Sequence, residues 1–218
     1  MTDIFQEVDE EVRREQFKKL WERYGTYLIA ACVLIVASVG AWRGYEWWQA
    51  KQAAQSGAAF EHAVALVQSG KHEEAVAAFT KLAADGTASY RVLARLREAA
   101  ELSSSDKKAA IAAYDAIADD KSAGQVVEDL AAVRAGFLLV DMAPYSEIRT
   151  RLEPLTASGR PFRHSAREIL ALSAWKSGDT SEARRWTELM MSDPQTPPGA
   201  RSRAELLSEL IATASAKG

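Results

Sequence analysis

The residue types that most often carry chemistry are few in this chain, and their spacing matches no catalytic or metal-binding motif. None of His62, His72 and His164 has metal-ligand spacing such as His-Glu-x-x-His, and the one cysteine, Cys32, excludes a cysteine-only zinc site. Residues 103–106, Ser-Ser-Ser-Asp, are typical of a helix cap, because their side-chain oxygens accept hydrogen bonds from free backbone amides. We therefore predict no catalytic, cofactor-binding or metal-binding residue, and a protein that is not an enzyme.

Composition indicates a helical protein with a sizeable core. The chain has 218 residues, of which 48% are hydrophobic and 26% are charged, and its alanine-rich sequence contains only 12 glycines and 6 prolines. The formal net charge of −3 does not provide the long-range basic field that is typical of nucleic-acid binders. We therefore predict no nucleic-acid partner.

Helical periodicity runs through most of the chain and is interrupted by short turn signals. No alternating apolar–polar stretch competes with this pattern, so we predict an all-α fold made of helical hairpins. The expected breaks lie near residues 69–70, 85–86, 103–105, 119–120, 143–144, 158–159, 177–178 and 194–199.

Several of these hairpins repeat in sequence. Residues 71–83 align with residues 106–118 at an offset of 35, and a degenerate third unit around Leu152 fits an offset near 38. The last unit matches Ala183 with Ala75 at an offset of 108. These steps lie near the tetratricopeptide period of about 34 residues, with one helix-turn-helix per repeat. An ordinary alanine-rich bundle is the alternative.

The last unit shows the repeat spacing most clearly. Leu170-Ala171, Ala174, Gly178 and Ala183 follow the tetratricopeptide order of leucine with a small neighbour, alanine, turn glycine and second-helix alanine. Small residues let two antiparallel helices approach closely, and glycine tolerates the backbone of the turn. We therefore predict a tetratricopeptide-like helical-hairpin solenoid.

A terminal helix is expected to close this array. Residues 200–214 place Leu206, Leu207, Leu210 and Ile211 on one apolar stripe. Because an exposed repeat face needs closure to stay soluble, this segment predicts a C-terminal cap helix.

The concave groove of such an array, lined by the first helix of each pair, is the predicted protein-binding site. Trp175 is the strongest candidate, because a large aromatic side chain on a groove is a plausible binding hot spot. Packing against the next helix is its alternative, and burial against residues 44–56 is the alternative for the earlier set. The groove residues are, counting from Gly178, Ser165, Glu168, Leu172, Trp175 and Lys176, and, counting from Gly70, Phe60, Val64 and Val67.

An uncharged stretch near the N-terminus predicts one transmembrane helix. Residues 24–42 form a helix about 28 Å long, close to the roughly 30 Å hydrocarbon core of a bilayer. A cleaved signal peptide and a buried helix of a soluble protein are the alternatives, but the long acidic segment before the stretch argues against a signal peptide. We expect residues 44–56 to continue this helix into the first repeat helix. Aromatic side chains flank both ends, as at the two headgroup zones: Trp21, Tyr24 and Tyr27 before, and Trp42, Tyr45, Trp47 and Trp48 after.

Basic residues on the two flanks determine the predicted orientation. Arg43 and Lys51 follow the stretch, whereas five basic residues precede it, so the N-terminus is expected in the cytoplasm. We predict a cytoplasmic stub at residues 1–23, a transmembrane helix at 24–42 and a periplasmic tetratricopeptide-like domain at 43–218, in a bacterial inner membrane. The stub is either an amphipathic surface helix or a short polar tail. The five basic residues are Arg13, Arg14, Lys18, Lys19 and Arg23.

This order of parts resembles the YfgM-type family, the tetratricopeptide-like ancillary subunits of the bacterial SecYEG translocon. The resemblance covers essentially the full length of the chain. It is carried by residues 24–42, by Ser-Gly-Lys-His-Glu-Glu-Ala at 69–75, and by residues 161–204 with RHSARE at 163–168, SGD at 177–179 and DPQTP at 193–197.

Membership implies an inner-membrane protein that faces the periplasm beside the translocon. It would work with the membrane-anchored chaperone PpiD on newly exported polypeptides, and the family has no catalytic residues to transfer. Where a repeat aromatic is often found, this chain has Thr187, so the packing there is expected to differ. The resemblance therefore implies a non-enzymatic, membrane-anchored interaction module. A scaffold for envelope assembly, or a stress-signalling regulator acting through the stub, is the alternative.

Overall fold

The chain is all-helical in the computed structural model, which describes the backbone of residues 3–215 and the side chains of Arg14, Lys18, Lys19 and residues 21–213. Within these residues there is no strand. The helices are α1 (Asp3–Gln68), α2 (His72–Asp85), α3 (Ala88–Ser105), α4 (Lys107–Ala118), α5 (Gln125–Leu139), α6 (Tyr145–Leu152), α7 (Arg163–Lys176), α8 (Thr180–Ser192) and α9 (Pro198–Ser215), with short 3-10 helices at Lys121–Ala123 and Glu153–Thr156.

The chain divides into two compact units, Met1–Ala54 and Gln55–Gly218. In the first unit the apolar side chains of α1 are exposed: Leu34 is 68% and Val36 71% accessible. The apolar window of this helix is only 6% buried. The apolar stretch of α1 is therefore not buried in a core. This removes the buried helix of a soluble protein as an alternative to a membrane span.

Polar and aromatic side chains interact along α1 just beyond the apolar stretch. The Trp42 indole Nε1 donates to Glu46 Oε1 at 2.9 Å, and the rings of Tyr45 and Trp48 stack at 6.1 Å. The Lys51 ammonium lies 5.3 Å from the centre of the Trp47 ring. These amphipathic rings combine an apolar surface with polar partners, as side chains at a membrane–water interface do.

The expected continuation of the helix through residues 44–56 is confirmed, because α1 extends without a break to Gln68. The backbone of the N-terminal stub is helical from Asp3 onward. The apolar side chains that would decide between an amphipathic surface helix and a polar tail lie outside the described residues.

In the second unit, the breaks expected from the sequence lie close to the observed ones, except that residues 103–105 belong to the last turn of α3 and the break is at Asp106. Gly70 and Gly178 occupy the turns after α1 and α7 with φ of +75° and +82°, a left-handed conformation that favours glycine. Asp106 starts α4 because its Oδ1 accepts the backbone N–H groups of Lys108 and Ala109, both at 3.0 Å. The short turns and caps therefore fold the chain into consecutive antiparallel hairpins.

The second helices of the four pairs bury equivalent residues, and this confirms the offsets of 35, 38 and 108. Every one of these side chains is at most 6% exposed. In chain order the sets are Ala75, Phe79 and Leu82; Ala110, Tyr114 and Ile117; Ile148, Leu152 and Leu155; and Ala183, Thr187 and Met190. Each side chain thus points into the space between the first helix of its own pair and the next.

Small residues on the first helices allow close approach to these ridges. Ala63, Ala99 and Ala171 are fully buried. At Gly136 of α5, an added Cβ would lie only 2.7 Å from Cδ1 of Leu152 on α6. A larger residue here would therefore force the buried Leu152 side chain to move, whereas glycine avoids this contact at a cost in helix propensity.

The pair α7–α8 buries Trp186 and the neighbouring Thr187. Trp186 is 1% exposed and its Nε1 donates to the Tyr145 hydroxyl at 2.8 Å, which in turn donates to Glu182 Oε2 at 2.7 Å. Burial raises the pKa of Tyr145 to about 12, so the phenol keeps its proton and its donor role. The neighbouring Thr187 is completely buried and donates to the carbonyl oxygen of Arg184 at 2.8 Å. The expected difference in packing at Thr187 is thus a small hydroxyl residue beside a buried tryptophan.

The terminal helix α9 packs against α8 and α7 through Ala204, Leu207 and Ile211, which are buried. The expected four-residue stripe is only half buried, because Leu206 is 61% and Leu210 55% exposed. The two pairs of side chains face different directions, since the buried face of α9 is narrower than the apolar stripe in its sequence.

Replacing Phe79 by alanine should destabilise the fold by about 3–5 kcal/mol, because its buried ring fills the space between α1, α2 and α3. The measurement is urea denaturation of the full-length protein in detergent micelles, followed by far-UV circular dichroism. Phe137→Ala is the matched control, because Phe137 is 64% exposed and its loss creates no cavity. Equal shifts of the denaturation midpoint in both variants would contradict the packing described here.

Candidate protein-binding surface

One surface of the repeat unit is formed by the first helices of the pairs, and we call it the first-helix face. It consists of the side chains of residues 55–68, α3, α5 and α7 that do not pack into the hairpin cores. The helices α5 and α7 define it best, because their buried residues correspond at an offset of 35: Ala131, Ala135, Gly136 and Leu139 with Ala166, Leu170, Ala171 and Ala174.

Two charged residues predicted to line the groove are held by ion pairs on this face. Lys176 Nζ donates to Oδ1 of Asp141 at 2.7 Å, and Asp141 lies in the turn after α5, 35 residues before Lys176. Glu168 pairs with Arg203 of α9, whose Nη2 lies 2.8 Å from Glu168 Oε2. The first pair joins α7 to the turn after α5, and the second joins α7 to α9. Both pairs neutralise charge at the C-terminal end of the first-helix face.

The other predicted residues of α7 are half-buried. Leu172 and Trp175 pack against the large apolar cluster formed by α5 to α9, and Ser165 lies one turn before Glu168. Trp175 therefore contributes to packing and still exposes part of its ring. Its role in partner binding stays a prediction.

The predicted residues of the first pair, Phe60, Val64 and Val67, pack against α2 and α3. The Phe60 ring lies 5.7 Å from that of Phe79 and 6.0 Å from that of Tyr90. The pairs containing α3 and α5 lie between this set and the α7 set, so the two sets belong to opposite ends of the first-helix face. Their role in binding also stays a prediction.

The middle of the face contains exposed apolar residues that the sequence analysis did not name. Phe137 on α5 is 64% exposed, Val126 on the same helix is 60% exposed, and Leu93 on α3 is 46% exposed. Phe137 lies 35 residues before Leu172, at the equivalent position. The repeat offset therefore identifies Phe137 as a groove position. The other groove residues were counted back from the turn glycines Gly70 and Gly178, and the third unit has Ala143 at the equivalent position.

A polar network fixes the start of α7 against the end of α8. Asp193 Oδ2 accepts hydrogen bonds from Arg163 Nε at 3.1 Å and Arg167 Nη1 at 3.0 Å, and Asp193 Oδ1 accepts the backbone N–H of Gln195 at 2.9 Å. The Gln195 backbone and then the Arg163 guanidinium hold the pKa of the Asp193 carboxyl well below its usual range. This network orients α7, which carries five of the predicted groove residues.

His164 belongs to the same network. It is 9% exposed, and its Nδ1 lies 3.1 Å from Oγ1 of Thr196, which donates to the carbonyl oxygen of Met190. Burial lowers the pKa of the imidazole and so favours its neutral form. The sequence motifs around residues 163–168 and 193–197 thus have a packing role in this structure.

A surface cavity of about 630 Å³ lies where the turn after α1 faces the end of α3. Two pairs of its polar residues are in contact: Lys71 with Glu74 at 3.0 Å, and His72 Nδ1 with Glu101 Oε2 at 2.9 Å. Among the described side chains, no group of three histidine, cysteine or carboxylate residues is placed to hold a metal ion.

Stacked antiparallel hairpins with a separate first-helix face define a helical-repeat protein of the interaction type. The tetratricopeptide repeat-like domain family matches residues 18–187, more than half of the chain, and the chain belongs to this family. This match confirms the tetratricopeptide-like prediction over the ordinary bundle, and the matched range includes the apolar stretch of α1. No curated protein and no solved structure gives a significant match to the chain. Such domains mediate protein–protein interactions and are generally non-enzymatic scaffolds.

Replacing Asp193 by asparagine should lower the urea midpoint of unfolding at pH 7, because the folded state loses a carboxylate held by two arginines. The pKa of Asp193 in the folded state lies below the unfolded value of about 3.9. The stabilisation is therefore fully present above this unfolded value and is lost as the pH falls from it towards the lower folded-state pKa. The difference between wild type and variant should therefore shrink below about pH 4. Circular dichroism over a pH series measures it.

Asp85→Asn is the matched control, because Asp85 is an exposed carboxylate without an ion pair among the described side chains. It should leave the midpoint unchanged at every pH. A pH-independent loss of stability in Asp193→Asn would contradict the electrostatic role of Asp193.

Proposed function

We propose that this protein is a non-enzymatic interaction module, anchored by one membrane span in a bacterial inner membrane, whose repeat domain faces the periplasm. We propose further that it associates with the SecYEG translocon and a PpiD-like chaperone and assists newly exported polypeptides. The observation that carries the proposal is the combination of an exposed apolar segment in α1 with a tetratricopeptide repeat-like domain in one chain.

The membrane span is supported by the exposure of α1. Residues 24–42 form about 28 Å of continuous helix, and their large apolar side chains are more than half exposed. Water would make this surface costly, at about 25 cal/mol per Å² of apolar area, whereas lipid removes the cost. The aromatic residues at both ends match the interfacial zones of a bilayer.

The orientation rests on charge alone. Five basic residues precede the apolar stretch and two follow it, which favours a cytoplasmic N-terminus. The repeat domain would then lie in the periplasm. There the single membrane anchor confines it with other membrane proteins, which raises their effective concentration and lets weak contacts suffice.

The partners are proposed from the resemblance to the YfgM-type family and from the fact that tetratricopeptide repeat-like domains mediate protein–protein interactions. The exposed Phe137 and the half-buried Trp175 supply the large aromatic side chains that dominate many protein interfaces. An envelope scaffold or a regulator acting through residues 1–23 is the competing function, and the second experiment below separates it from the proposal.

The first experiment determines topology. Proteinase K added to spheroplasts should digest the repeat domain, whereas sealed inverted vesicles should protect it, because the domain lies outside the cytoplasm. The protein should also resist extraction by salt and carbonate. A mature chain that begins at Trp42 and is extracted by salt would contradict the membrane anchor and favour a signal peptide.

The second experiment identifies partners. A photoreactive amino acid at Trp175 or Phe137 should form adducts with translocon or chaperone subunits in intact membranes. The same group at Lys81, an exposed position on the second helix α2, is the matched control and should not. Recovery of neither class of subunit would contradict the proposed partners. Loss of all function on deletion of residues 2–12, which keeps all five basic residues of the flank, would favour the regulator.

A further inference from the structure

Two arginines in the middle of the first-helix face have no acidic partner. Arg97 on α3 and Arg134 on α5 are both exposed, and neither forms an ion pair with another described side chain. They occupy equivalent positions, each two residues before the small buried residue of its helix, Ala99 or Gly136. The two guanidinium groups therefore lie on corresponding faces of consecutive first helices.

Tyr114 of α4 lies between these two helices. It packs against Ala99 of α3 and Ala135 of α5 and is 4% exposed, and no hydrogen bond to its hydroxyl is found among the described residues. Burial raises the pKa of the hydroxyl, whereas the charges of Arg134 and Arg97 lower it. Tyr114 thus lies in the core between the two helices that carry these arginines.

Apolar side chains lie beside these arginines. Phe137, one turn after Arg134, is 64% exposed, and Leu93, one turn before Arg97, is 46% exposed. An exposed phenylalanine next to unpaired cations is costly in water and is typical of a surface that a partner covers.

Several carboxylates on and near this face contact other side chains of the protein. Asp141 accepts from Lys176, and Glu168 accepts from Arg203. On α3 itself, Glu98 accepts from the Thr80 hydroxyl, and Glu101 is paired with His72. None of these carboxylates forms an ion pair with Arg97 or Arg134, so both guanidinium groups are available to a carboxylate of a partner.

We propose that the part of the first-helix face between α3 and α5 binds a polypeptide segment in which an acidic side chain lies next to a large apolar one. Arg97 and Arg134 bind the carboxylate, since guanidinium forks match carboxylate geometry and charge-assisted hydrogen bonds are strong. Phe137 and Leu93 pack against the apolar neighbour. This proposal rests on the proposed function and names the chemistry of the partner segment.

A nucleic acid or a lipid headgroup could use the same arginines, but the surroundings favour a polypeptide. The net charge of the chain is −3, and two cations beside exposed Phe137 and Leu93 do not form the extended basic stripe that a phosphate backbone requires. Apolar contacts on both sides of the arginines match alternating acidic and apolar side chains instead.

The experiment is a selection of random peptides displayed on phage against the full-length protein in lipid nanodiscs. Peptides that combine aspartate or glutamate with phenylalanine, leucine or tryptophan should be enriched. Arg97→Ala with Arg134→Ala should weaken binding of a selected peptide by about tenfold or more, as expected when charge-assisted hydrogen bonds are lost. Replacing the acidic residues of the peptide by glutamine or asparagine should weaken it similarly, and fluorescence anisotropy measures both effects.

Lys81→Ala with Arg184→Ala is the matched control, because it removes the same charge from exposed residues on the second helices α2 and α8, outside the first-helix face. It should bind the peptide as wild type does. Failure to enrich acidic peptides, or equal affinity in the Arg97/Arg134 double variant and wild type, would overturn the proposal. Enrichment of neutral apolar peptides whose binding depends on Phe137 would overturn the proposed preference for acidic segments. It would not contradict the proposed interaction function, which the topology and crosslinking experiments test separately.

Discussion

The repeat domain depends on the close approach of paired helices. Gly136 shows the constraint most directly, because even a methyl group there would overlap with the buried Leu152 side chain. Fully buried alanines at Ala63, Ala99 and Ala171 play the same part in the other pairs. With small residues on one helix and large ones on the next, each hairpin buries its ridge without voids. The apolar face of a single hairpin has no such cover, so neighbouring pairs must stack.

The stacking also decides which residues remain for binding. One stripe of each helix is buried between the pairs, and the remaining stripe of the first helices presents side chains from several pairs on one surface. On this stripe the charges of Glu168 and Lys176 are compensated within the chain, whereas those of Arg97 and Arg134 are not. The centre of the face therefore combines exposed apolar side chains with positive charge. At its C-terminal end the charges are neutralised by ion pairs.

Much of this fold could be predicted from the sequence, because turn glycines, helix-capping aspartates and the repeat offset are local signals. The buried sets around Phe79, Tyr114 and Leu152 follow directly from these offsets. The site was harder to predict, since exposure depends on contacts between distant residues. Phe137 was missed because its unit has no turn glycine at the counted position, and Leu206 was placed on a buried stripe although it is 61% exposed. A stripe of apolar residues in the sequence indicates which face of a helix is apolar. It does not show how much of that face the neighbouring helices cover.

Separate apolar clusters hold the two ends of the repeat domain. Phe79 and Ala63 belong to a cluster formed by α1, α2 and α3, whereas Trp186 and Leu170 belong to a larger one formed by α5 to α9. Because the contacts run mainly between sequence neighbours, the domain resembles a one-dimensional chain of coupled units rather than a single cooperative globule. Opening of the first hairpin can therefore occur without melting the last, and amide hydrogen exchange in such a domain is graded along the sequence.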